Sequence, residues 1–183
     1  MTAAPRVLST VDLRGKIVSG DAIFAQRKLS VQIVAAGGED IWTVKDNQVQ
    51  LRQDIATLFE PETCVKGFAP APKDLRTTET IEKGHGHIER RTLTASAELK
   101  DYLDWTYAEQ VYRLERHVTR IADGKITQEV AYGVTSLTPR EADAEQLLHL
   151  TRGHWGIENG SHYRRVQTYA KTGATCGQGM LPT

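Results

Sequence analysis

The chain holds little sulfur and no long apolar run, and each shortage removes a class of protein. Its two cysteines, Cys64 and Cys176, make no disulfide framework, and neither has a second cysteine nearby for a zinc ribbon. That pattern is the ordinary one for a reducing, cytoplasmic setting. No stretch approaches the roughly 18 consecutive apolar residues of a membrane helix. The opening residues, Met1 to Arg6, lack the apolar segment of a secretion signal. Net charge is also missing, with 23 basic against 23 acidic residues, so the strongly basic balance common in nucleic-acid-binding domains is not there. The sequence has no Gly-Lys-Ser/Thr phosphate loop, no serine elbow and no cysteine-protease signature, and nucleophilic catalysis by a side chain is unsupported. There is no internal repeat.

What remains is 183 residues, 39% of them hydrophobic, enough for one domain with a core. Residues 16–20 read as a short strand. Ala22, Ala25, Leu29, Ile33 and Ala36 recur at helical spacing and predict a helix of about four turns, stopped by Gly37 and Gly38. Residues 41–45 are a second strand. A strand, a helix and a strand imply a right-handed crossover with parallel pairing, and ligands gather beyond the carboxyl ends of such strands. Asp21 and Lys45 both sit there. A second helix follows, with Val49, Leu51, Ile55, Leu58 and Phe59 as its apolar side.

From Glu60 to Lys83 the chain is rich in proline, threonine and charge and reads as an exposed connection. Strand-like runs then span 87–94, 110–119 and 126–136, with Asp123-Gly124 as a hairpin signal, and this block reads as an antiparallel sheet. Thr138-Pro139-Arg140-Glu141 predicts the start of a last helix through a cap residue, a first-turn proline and a capping-box glutamate. Ala144, Leu147, Leu148 and Trp155 are its buried stripe.

The last helix carries the densest polar constellation, His154, Glu158 and His162 at intervals of four, with Arg165 on the same side. Between Leu150 and Lys171 the chain has a net three positive charges, a patch able to steer a polyanion or an ordinary solvated helix face. Three readings stay open for Glu158. It pairs with Arg165 or His154 on a plain helix, worth a few tenths of a kcal/mol. Or His154, Glu158 and His162 form a zinc site, although the helical zinc signature places Glu directly after the first His. Or Glu158 is a carboxylate for a hard metal, shared with an acid elsewhere. Asp21 is the natural second acid, and its ordinary role would be a helix cap. Lys45 and Asn47 could reach the same rim. Lys83-Gly84-His85-Gly86-His87 is a basic, glycine-rich segment that could meet a phosphate.

These residues resemble a family. Gly15 to Gln26, with Asp21-Ala22 after the strand, and Gly37 to Gln48, ending Lys45-Asp46-Asn47-Gln48, resemble the second-aspartate segment of cut-and-paste DDE insertion-sequence transposases. His85 to Arg91 resembles their "HGRIE-x-R" strand, with His87 in place of the first Arg. Arg152 to Asn159 resembles the "HW-x-IEN" helix that holds the third carboxylate. The resemblance implies an α/β, RNase H-like fold over 1–168, a mixed sheet flanked by helices, with a β-rich insertion at about 84–137. It implies Mg²⁺ or Mn²⁺ held by Asp21 and Glu158, since such ions prefer oxygen ligands, and two-metal cleavage and strand transfer. Asn159, His154, His162 and Arg165 would then orient Glu158 or meet DNA phosphates, and Lys45, Asn47 and Arg91 would be supporting or phosphate contacts.

Duplex DNA, as element ends and target, is the implied partner; a homodimer is compatible with the resemblance, no membrane is involved, and the setting is cytoplasmic, at the nucleoid. The family's first aspartate lies on a strand well upstream of the second, whereas 20 residues precede Asp21 here. The expectation is a catalytic domain incomplete at its N-terminus and inactive alone. After Thr168 the sequence departs from the family, and back-translation into another frame gives a family-like continuation, so 169–183 is expected to be an out-of-frame or disordered tail. The other expectations to weigh are a catalytically dead DNA-binding remnant and the zinc hydrolase on His154, Glu158 and His162.

Overall fold

The computed structural model describes residues 3–60 and 73–153. All but the last two of these belong to the unit Met1–Thr151; of the second unit, Arg152–Thr183, only Arg152 and Gly153 are described.

Six strands form one mixed sheet in the order β1-β2-β6-β5-β4-β3. The strands are β1 (Ile17–Gly20), β2 (Glu39–Val44), β3 (Arg76–Gly84), β4 (His87–Ser96), β5 (Gln110–Arg120) and β6 (Ile126–Thr135). β1 and β2 are parallel, joined by the expected crossover through α2 (Arg27–Ala35). All other pairs are antiparallel. The block of later strands is therefore continuous with the first two, because β6 pairs with β2 from Ile41↔Thr135 to Val44↔Tyr132.

Alternation along the strands splits the core into two layers. Trp42, Val44, Val111 and Val134 face α2 and α3 (Val49–Phe59), whose Leu29, Ile33, Leu51 and Ile55 close that side. The short α1 (Ala3–Leu8) adds Ala4 and Leu8 at its margin. Ile41, Leu93, Ala95, Tyr112 and Leu114 point the other way, against Leu147 and Leu148 of α4, which is helical from residue 144 to 153. Each fully buried Leu or Ile contributes roughly 1.5–3 kcal/mol. No described helix is long and apolar enough to cross a membrane.

Three elements differ from the sequence expectation. The helix after β1 is broken: Ala22–Phe24 is a 3-10 turn, and α2 begins only at Arg27. Asn47 Nδ2 donates to the Ala22 carbonyl at 2.7 Å and Gln48 Nε2 to the Ala25 carbonyl at 3.2 Å. Those carbonyls are thereby engaged outside a continuous helical ladder, and Leu29 N–H turns to Gln26 instead. The exposed connection is shorter than expected, since β3 starts at Arg76; residues 61–72 lie outside the described residues. β3 is an edge strand with no buried residue, held by its ladder to β4 rather than by a core face. Finally, Thr138 and Glu141 do bond to each other, but only around a turn. The Ala142 carbonyl is taken by the buried side chain of Gln110 at 3.0 Å, and the helix starts after a second reciprocal box, Asp143 with Gln146, both bonds 2.9 Å. Trp155, expected on this helix's buried stripe, lies outside the described residues.

β3 to β6 reach well past the end of β2. From Tyr132, level with Val44, β6 runs six residues further to Ile126, roughly 20 Å at about 3.3 Å per residue. This arm extends toward the carboxyl ends of β1 and β2. At its end His85 (φ 48) and Gly86 (φ 77) make a two-residue turn with both residues left-handed. For a histidine that conformation costs on the order of 1 kcal/mol.

Candidate active-site rim

Gly20 ends β1 because the ring of Trp42 covers it: a Cβ there would lie 2.7 Å from Trp42 Cζ3. Trp42 is in turn fixed by its indole N–H, which donates to Ser30 Oγ at 2.9 Å. Asp21 follows directly and turns the chain. Its Oδ1 accepts from its neighbour's amide, Ala22 N, at 2.7 Å, and from Lys45 Nζ at 2.9 Å. Asp21 thus caps the 3-10 turn while its carboxylate stays at the rim. The side chain remains 42% exposed, and that of Lys45 61%.

Lys45, Asn47 and Gln48 thus all reach back across the two strand ends, Lys45 to the carboxylate and the two amides to the carbonyls behind it. The turn that presents Asp21 is held at three points by the segment after β2. Gln48 stands in the motif quoted above, yet its holding role, like that of Trp42, was not legible before the fold.

Arg91 is not at this rim. It lies on the arm, 18% exposed, with its guanidinium 3.3 Å from Glu82 and 2.8 Å from Glu89. Arg116 continues the network by bonding Glu89 and, at 3.0 Å, Glu129. Its position is interior to a charge network rather than presented to a ligand. Glu158, His154, Asn159, His162 and Arg165 lie outside the described residues, and with them the zinc arrangement.

Behind the rim is an acid that sequence reasoning passed over. Asp40, on β2, is 1% exposed, with Oδ2 lacking a hydrogen-bond partner. Burial pushes its pKa up to about 6, opposed by hydrogen bonds from Ser30, Trp42 and the Ser136 backbone. Its only signal was its position directly before the apolar run of Ile41, Trp42 and Val44, outside the strand expected at 41–45.

A divalent cation needs several oxygen donors. Asp21 offers a hard, partly exposed carboxylate, and its donor chemistry fits such an ion. Among the described residues no group of three His, Cys, Asp or Glu side chains stands close enough to hold one.

A mixed sheet between helical layers, with a carboxylate at a parallel strand end, is the architecture of an RNase H-like domain. Residues 1–167 match the family model described as Transposase DDE domain, and the chain belongs to that family, the DDE transposases of insertion sequences. It is 32% identical over 142 residues to an "Uncharacterized protein in dhlA 3'region" of Xanthobacter autotrophicus, covering 75% of this chain and 45% of the other. It is 28% identical over 170 residues to the "H repeat-associated putative transposase YhhI" of Escherichia coli K12, covering 90% and 43%. The chain thus spans under half the length of these relatives. No solved structure matches it.

Proposed function

We propose that this chain is the part of a transposase catalytic domain that carries two metal-binding carboxylates, Asp21 and Glu158, for Mg²⁺- or Mn²⁺-dependent cleavage and strand transfer at element ends. The observation that supports this most is the construction of the Asp21 turn. A partly exposed carboxylate is held at a parallel strand end by three side chains of the next strand's exit, in a chain of the transposase family.

A divalent cation held by Asp21 and Glu158 would supply an activated water or 3′-hydroxyl and would neutralise charge on the phosphate. The chain's own residues bind, orient and screen. Asp21 contributes oxygen. Lys45 neutralises that carboxylate and, were a cation bound there, would be free to meet a DNA phosphate. Asn47 and Gln48 keep the turn from shifting. Asn159, His154, His162 and Arg165 orient Glu158 or meet phosphate, and residues 84–137 are the β-rich insertion. Arg91 serves the insertion's charge network.

Nicking of supercoiled plasmid with Mg²⁺ or Mn²⁺ tests the assignment. The chain is expected to be inactive or only weakly active alone, and whatever nicking it shows is expected to be lost in Asp21→Asn and Glu158→Gln alike. Nicking that survives Glu158→Gln would refute the site. DNA binding with no nicking by the unaltered chain would leave a binding-only remnant.

A further inference from the structure

The arm's far end brings together two hairpin tips that are distant in sequence. Ile121 N–H donates to the Gly86 carbonyl at 2.8 Å, and His87 stands opposite Arg120 in the β4–β5 register. Lys83, His85, His87, Arg120 and Lys125 therefore share one exposed end. The three cations face one carboxylate, Asp123, which pairs with Arg120 at 3.1 Å. Among the described residues Lys83 and Lys125 join no ion pair. Just inward, Arg91 and Arg116 are more than matched by Glu82, Glu89 and Glu129, so an anion is favoured only at the tip itself. An open groove of about 590 Å³ passes there; Lys83, His85 and His87 line its outer end, and Arg116 lines it together with the acids Glu82 and Glu89.

Two further facts point to a ligand. His85 occupies a left-handed turn position where asparagine or glycine would be relaxed, and the turn sets its imidazole at the exposed tip. The tip also lies at the same end of the sheet as Asp21 and Lys45, about 20 Å beyond them along the strands. Phosphates recur every 3.4 Å along one DNA strand, so a duplex at the rim would offer several within that reach.

We propose that the joined tips of the β3–β4 and β5–β6 hairpins are a second DNA contact, gripping backbone phosphate of the duplex whose reacting part lies at Asp21. This rests on the transposase reading. It assigns Lys83, Lys125 and His85 to phosphate, with Arg120 held in place by Asp123. The contact carries no base specificity, because lysine and imidazole reach only the backbone here.

The test is fluorescence anisotropy of the full chain on a labelled 30-base-pair duplex over a salt series, without metal. Each phosphate contact contributes about 0.9 to the slope of log affinity against log salt. Lys83→Gln/Lys125→Gln is expected to lower that slope by about 2 and the affinity by at least about 10-fold near 0.1 M salt. His85→Asn is expected to bind more weakly while melting no lower than the unaltered chain, which separates lost contact from lost fold. Arg6→Gln/Lys16→Gln, at the other end of the sheet, is the control and should change little. An unchanged slope in the tip variant, or an equal drop in the control, overturns the contact and leaves the catalytic assignment standing, since nicking by Asp21 and Glu158 is read separately. Absence of duplex binding by the unaltered chain at 50 mM salt overturns both.

Discussion

The ring of Trp42 rests on the α-carbon of Gly20, and no side chain fits between them. This contact sets the height of the strand end from which Asp21 projects. Gly20→Ala is expected to cost about 1–3 kcal/mol, as overpacking generally does. Urea denaturation should show the loss, and a partial rescue in Gly20→Ala/Trp42→Leu beyond additivity would tie it to this pair. Simple additivity of the two would sink the explanation.

Lys45 and Asp21 form an ion pair that is largely solvent-screened, so Lys45→Met should alter stability by less than about 1 kcal/mol. Its larger effect falls on cation binding. With a competing positive charge 2.9 Å away removed, Mn²⁺ should bind several-fold more tightly, whereas Asp21→Asn should abolish the gain. Calorimetric titration decides it, and weaker Mn²⁺ binding in Lys45→Met would contradict a competing role.

Asp40 makes stability depend on pH with a definite sign. Its pKa is raised from the ordinary carboxylate value of 3.8 to about 6, so the folded chain binds more protons than the unfolded one between those values. The favourable contribution is complete below about pH 4 and disappears as pH rises through 6. Asp40→Asn should therefore gain on the unaltered chain between pH 4 and pH 7, by roughly 3 kcal/mol at most. Parallel stability curves for the two proteins across that interval would rule this out.

The start of α4 can be located by two alanine substitutions. Asp143→Ala removes a true helix cap and should cost about 1 kcal/mol. Thr138→Ala touches only an exposed turn and should stay within about 0.5 kcal/mol. The reverse order in thermal unfolding would return the helix start to Thr138.

The parallel crossover was readable because Ile41, Trp42 and Val44 crowd one strand and the apolar residues of α2 repeat at helical spacing. Asp21 and Lys45 followed from that topology, and family membership followed from the short motifs around them. The two errors in helix bounds share one cause. In each, a side-chain amide donates to a backbone carbonyl in the misread stretch, Asn47 and Gln48 to Ala22 and Ala25, and Gln110 to Ala142. Partners 23, 25 and 32 positions away leave no trace in local periodicity. β3 escaped notice for a different reason. A strand that buries nothing shows no apolar alternation, and its order comes from β4's backbone.

The four register pairs between β2 and β6 have a mechanical meaning. The arm is a cantilever built into the same plank as the acid's turn, since β6 runs unbroken from Ile126 to Thr135. A sideways load on the tip would reach β2 through these pairs, the last of which is at Val44, one residue from the lysine that touches Asp21.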